Sequence, residues 1–181
     1  MSDDLERARS AWKNRGGERP PFAQLPQRGE ESVWDYPRPP VLVEDRREIV
    51  VRVGEREIAR SARAVRVLET ASPPTFYIAP DDVDADCLMP APGHSFCEWK
   101  GSASYFDVQT PDQTISAAAW AYLEPFPEFA SIAGWLAFYP SKVSCFVAGE
   151  RVRAQAGGFY GGWITREIVG PFKGDEGSSG W

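Results

Sequence analysis

The sequence predicts an all-β domain, mostly antiparallel, on three observations. Short runs in which apolar residues recur every second position follow one another from Val41 onward. Pro and Gly interrupt those runs at close intervals. No interior segment carries a long amphipathic helical pattern. The 181 residues divide into an extended N-terminal arm over 1–40, a β domain over 41–150 and a Gly- and aromatic-rich tail over 151–181 that packs on the domain or on a partner.

Composition excludes several classes of function. Hydrophobic residues make up 43%, with 7 Trp, 6 Tyr and 10 Phe, which is the content of a packed chain and not a disordered one. The net charge is -6 and no Lys/Arg cluster stands out, so neither nucleic acid nor an anionic membrane is an expected partner. Cys87, Cys97 and Cys145 cannot all pair within one chain and form no C-x-x-C, which fits a reduced, cytoplasmic setting. His94 is the only histidine, and paired ligands two to four residues apart are missing, so no metal and no cofactor is expected. No apolar run approaches the roughly 20 residues of a membrane span. The acidic start, Met1 to Glu6, has no apolar region of a secretory signal.

In the arm, Leu5, Ala8 and Trp12 stand at helical spacing, with Ser2, Asp3 or Asp4 as caps and Gly16-Gly17 as the stop. Six of the 16 prolines lie between Arg19 and Pro40, beside the anchors Phe22, Val33, Trp34 and Tyr36. Such a segment is extended and packs on something through its aromatics. Ile49–Val53 and Glu57–Ser61 read as a hairpin around Gly54-Glu55. In the next strand Val65, Val67 and Glu69 share one face, and Arg66, Leu68 and Thr70 the other. Ser72-Pro73-Pro74 is expected to stop it, and Asp81 to cap a short helical turn. Cys97 to Val108 reads as one strand. Thr110 to Gln113 is a turn. Thr114 to Tyr122 is a strand with Ser116, Ala118, Trp120 and Tyr122 on one face and three alanines on the other. Two more strands lie within Gly134–Tyr139 and Val143–Ala148. Trp163 and Trp181 pin the tail.

Several motifs carry a resemblance. They are Ile58-Ala59-x-Ser61, Val67-Leu68-Glu69-Thr70, Pro74-x-x-Tyr77-Ile78-x-Pro80-x-Asp82-Val83, Cys97-x-x-Lys100-Gly101-x-Ala103-x-Tyr105, Ala119-Trp120-x-Tyr122 and Phe138-Tyr139. Over about residues 45 to 150 the chain resembles the family known as domain of unknown function 427. The resemblance implies a β-tent fold, two antiparallel sheets meeting along one edge. It implies no metal here, because the paired cysteines of zinc-bearing tents are missing. A nucleotidyltransferase-like label attached to the family finds no acidic metal-binding triad and no Gly-Ser motif in this chain.

The candidate catalytic residues are Glu69, Lys100 and Tyr105. Glu69 lies in phase with Val65 and Val67, so burying that face takes a carboxylate inward, where it must be paired or protonated. If Leu68 faces the core instead, Glu69 faces water. Lys100 is the expected partner cation, with a solvated edge lysine as the plainer alternative. Strict alternation puts Lys100 and Tyr105 on opposite faces, and a bulge at Gly101 would bring them together. Tyr77, Cys97, Trp120, Tyr122 and Tyr139 are the candidate ligand-contacting residues. Aromatic residues of this kind also fill ordinary β cores, and Cys97 reads equally as a buried, inert thiol.

The leading expectation is a pocket between two sheets that binds a small polar or aromatic molecule. An enzyme using Glu69 and Lys100 as an acid–base pair is the alternative. A third is an assembly module, a homodimer exchanging arm and tail.

Overall fold

The computed structural model describes residues 3–178 and 181. A short helix, α1 (Asp3–Ser10), opens the chain with acidic residues in its first turn and arginines in its last, as the helix dipole favours. It ends before Gly16-Gly17, and Ser2, one of its expected caps, lies outside the described residues. The strands follow in order. β1 is Glu31–Ser32, β2 Val41–Asp45, β3 Ile49–Val53, β4 Arg56–Ser61, β5 Ala64–Glu69 and β6 Ser72–Tyr77. β7 is Leu88–Cys97, β8 Gly101–Gln109, β9 Thr114–Ala121 and β10 Ala137–Phe138. β11 is Ser144–Val147, β12 Glu150–Arg151, β13 Arg153–Ala154, β14 Trp163–Ile164 and β15 Ile168–Val169. The longest helical element between Val41 and Ala148 is the 3-10 segment Pro127–Ile132. The chain is therefore all-β, as expected.

Three antiparallel sheets form the body, in strand orders β2-β5-β6, β12-β11-β3-β4 and β10-β9-β8-β7. Backbone bonds of 2.8 and 2.9 Å between Ile78 and Leu136 tie the end of β6 to the start of β10, so the first and third sheets meet at a corner. Side chains alternate along β6. Phe76 and Ile78 enter the main core with Ile49, Val51, Ile58 and Phe138, and Tyr77 turns to the opposite side. The Trp163 ring stacks on Phe76 at 4.9 Å and its Nε1 donates to the Phe138 carbonyl, which seals this core from the tail.

The arm folds back on its own chain. Val33, Trp34 and Tyr36 are buried with Leu68, Ala71 and Ile168. β1 pairs in parallel with β15, so arm and tail share one two-stranded ribbon. Phe22 is half exposed, but its ring stacks on Trp181 and meets Trp34 edge-on. Arg66, on the face of β5 opposite Glu69, bonds Glu31 of the arm and lies 3.3 Å from Asp45.

Several expectations fail in instructive ways. Ser72-Pro73-Pro74 does not stop a strand; it begins β6. β6 is at the edge of its sheet, where a missing N–H costs no ladder bond. Asp81 caps nothing: the 3-10 turn Pro80–Asp82 starts from Ala79 without a side-chain cap, and Asp82 instead accepts from Ser61 and Arg63. Cys97 to Val108 is not one strand. Cys97 ends β7 and Gly101 starts β8, with Glu98, Trp99 and Lys100 as the hairpin turn. The face pattern of β9 breaks at Ala117, whose φ is +46°, so Ala118 joins the core with Ala119 and Ala121 and not the Trp120 face. The Asp107 carboxylate accepts the Ala117 N–H at 2.7 Å and holds that irregularity.

Candidate functional site

A cavity of about 260 Å³ lies between the inner face of β5–β6 and the β7–β9 hairpins. All three candidate catalytic residues, Glu69, Lys100 and Tyr105, line it, and so do Tyr77, Cys97, Trp120, Tyr122 and Tyr139. The local folding explains each placement. Glu69 follows Val67 inward along β5, and Tyr77 follows Thr75 along β6. Lys100 and Tyr105 share the cavity because Lys100 sits in a turn and not in strand phase. Gly101 has φ +95°, a backbone that favours glycine and reverses the chain after Lys100. No bulge at Gly101 is needed.

The aromatic wall is continuous. Trp120 and Tyr139 stand 4.4 Å apart between ring centres, and Tyr77 meets Trp120 edge-on at 6.3 Å. The Tyr105 hydroxyl donates to Ser95 Oγ at 2.7 Å. The tail closes against this wall at Gly161, where an added Cβ would come within 2.1 Å of the Trp120 ring. Gly161→Ala is therefore expected to displace Trp120 and destabilise the fold by about 1–3 kcal/mol, the usual range for overpacking. Thermal melts and near-UV circular dichroism test this; an unchanged melting temperature with an unchanged indole signal would mean that the tail does not set the position of Trp120.

The partner of Glu69 is not Lys100. Among the described residues no carboxylate lies within ion-pair distance of Lys100. Glu69 is held by Arg38, whose side chain is fully buried and whose Nε donates to Oε1 at 3.1 Å. Arg38 also donates to the carbonyls of Asn14 and Thr70 and lies 4.3 Å from the centre of the Trp12 ring. The arm thus supplies both the counter-charge and part of the roof. Trp12 Nε1 donates to Glu98 at 2.6 Å, and Lys173 from the tail places its ammonium 3.6 Å from the Trp12 ring centre. Arg38, Trp12, Glu98 and Lys173 escape the sequence reading because they lie in a turn, in the arm and in the tail, where no periodicity assigns a face.

Electrostatics separate the two lysines. Burial opposes the Lys100 ammonium, but the Cys97 sulfur, the Tyr77 hydroxyl and the Glu69 carboxylate outweigh it and hold the pKa above the ordinary lysine value. The ammonium lies 5.7 and 5.8 Å from the ring centres of Tyr122 and Phe129, and no oxygen acceptor reaches it among the described residues. Lys173 moves the other way: burial lowers its pKa, helped by Arg38 and opposed by Glu69 and Glu98. Burial likewise pushes the Tyr77 hydroxyl up to about 12, with the Lys100 charge opposing.

The Tyr77 shift carries a pH prediction. An unfolded chain loses this proton near pH 10, and the folded chain holds it to about 12. The folded state therefore binds more protons over that window, and the stability present below pH 10 is lost as pH rises through it, by on the order of 2–3 kcal/mol. Urea midpoints at pH 9 and 11 should fall more steeply for the wild type than for Tyr77→Phe; equal slopes would contradict the assignment.

With this geometry in view, the comparison with known families is decisive. Residues 41–149 match the family described as a domain of unknown function (DUF427). The chain belongs to the DUF427 family. The matched DUF427 segment contains all eight cavity residues named from the sequence, whereas Trp12, Arg38 and Lys173 lie outside it. No curated protein matches the chain. Among the described residues, no helix is long and apolar enough to cross a membrane.

Proposed function

We propose that this DUF427 protein binds a small polar or aromatic molecule in the cavity between β5–β6 and the β7–β9 hairpins. The observation that carries the reading is the Tyr77 hydroxyl. It is fully buried, belongs to a residue lining the cavity and, among the described residues, has no partner at good hydrogen-bond geometry, the Trp120 side chain approaching it only loosely. Leaving such a group unpaired costs about 1–3 kcal/mol, and a fold keeps it where something else completes it. The volume of about 260 Å³ lies just below the range of drug-sized sites, about 300–1,000 Å³, which suits a molecule of metabolite size. An acid–base pair of Glu69 and Lys100 has less support, since Arg38 occupies Glu69 and the Lys100 pKa is raised. A general base needs the opposite shift.

A metabolite-library thermal screen on the wild type and on Tyr77→Phe tests the reading. Removing the orphan hydroxyl is expected to leave the unliganded melting temperature unchanged or higher, because it relieves an unsatisfied group. It should at the same time reduce the shift produced by the best ligand. A hydroxyl with a purely structural role would do the reverse, lowering stability with ligand shifts intact, and would sink the proposal.

A further inference from the structure

We infer that the cavity takes its ligand by an anionic group, a carboxylate or a phosphate, held by Lys100 and Tyr77, with a planar body against the aromatic wall. The inference deepens the small-molecule reading and rests on it. It comes from counting which polar groups of the cavity are already occupied. Both acidic side chains are engaged. Glu69 accepts from Arg38, and Glu98 accepts from Trp12.

Three donors stand out among the groups left over. Lys100 is buried beside aromatic rings and the Cys97 sulfur, and among the described residues no oxygen acceptor hydrogen-bonds its ammonium. Among the described residues the Tyr77 hydroxyl makes no hydrogen bond of good geometry, and neither does Trp99 Nε1 on the same hairpin turn as Lys100. Lys173 adds a second positive centre that leans on Trp12. A buried cation and two orphan donors around one cavity call for an acceptor that carries negative charge, because charge-assisted hydrogen bonds are the strongest such a site can make. A cationic ligand would meet the ammonium groups of Lys100 and Lys173, and of the two carboxylates Glu69 is already ion-paired with Arg38. Trp120, Tyr139 and Tyr122 then offer faces for a ring, and the arm's Trp12 lines the same cavity.

Matched probes that differ only in their polar group separate this inference from the broader one. The titrations use the full chain, follow tryptophan fluorescence and take benzoate, phenyl phosphate, benzamide and benzylamine in turn. At least one of the two anions should saturate the signal, benzamide should bind at least tenfold more weakly and benzylamine not at all. The tighter of the two anions tells carboxylate from phosphate. Lys100→Met, which keeps the apolar stem, should erase the preference for the anion over benzamide, and Tyr77→Phe should weaken the anion severalfold. If Lys100→Met does not fold, the ranking of probes on the wild type still decides. Equal binding of benzamide, preferred binding of benzylamine, an anion preference that survives in folded Lys100→Met, or binding of neither anion would each overturn the inference. A library hit stabilising the wild type in any of those cases would leave the small-molecule reading standing with a different class of ligand.

Discussion

Replacing Arg38 with alanine is expected to destabilise the fold by about 3–5 kcal/mol, the cost of removing one partner of a buried ion pair. The Arg38 side chain has no exposure and Glu69 is only 18% exposed, so the lost guanidinium leaves a largely buried carboxylate without its cation. Three links break together: the bond to Glu69, and the bonds to the carbonyls of Asn14 and Thr70. The Trp12 ring loses the cation beneath it, and the roof of the cavity loosens with it. Chemical denaturation measures the loss. The double variant Arg38→Ala with Glu69→Gln should recover part of it, because the stranded charge is then gone. A single variant as stable as the wild type would show that the arm does not hold the site.

Trp34→Ala should cost a comparable ~3–5 kcal/mol, the usual range for truncating a buried Trp. Trp34 is fully buried at the centre of the cluster joining arm, β5 and tail, and its Nε1 donates to the Pro171 carbonyl at 3.1 Å. Its loss leaves a cavity and an unpaired acceptor, and frees Trp181, whose ring packs edge-on against it at 5.2 Å. Both ends of the chain should then become protease-sensitive together. Phe22→Ala, half exposed in the same aromatic group, should by contrast cost little. Equal effects of the two changes would mean that the cluster does not anchor the arm.

How much of this was legible depends on periodicity. Glu69 was placed on the cavity side because Val65 and Val67 set the phase of β5, and a strand has only two faces. Tyr77, Trp120 and Tyr139 followed from similar alternation or from motif. β7 was missed because Pro90, Pro92 and Gly93 interrupt its pattern, and the pairing with β8 does shift between Ala91 and His94. Lys100 reaches the cavity by another route than the expected bulge: it sits in a turn closed by Gly101 at positive φ, and it does not pair with Glu69. Arg38 lies 31 residues from the carboxylate it neutralises, in a proline-rich segment whose course depends on the body it packs against. Lys173, in the tail, escapes for the same reason. No local pattern reports contacts of that kind, since they arise only once separate segments fold onto one surface.

The central claim is that the unengaged donors of the cavity are a binding site for an anion on a small planar molecule. A crystal structure of the full chain grown with saturating benzoate or phenyl phosphate tests it most directly. The account predicts the probe in the cavity, its charged oxygens within hydrogen-bond distance of both Lys100 Nζ and Tyr77 Oη, and its ring against Trp120 or Tyr139. A probe bound only elsewhere, or one in the cavity with its charge turned away from Lys100 and Tyr77, would contradict it.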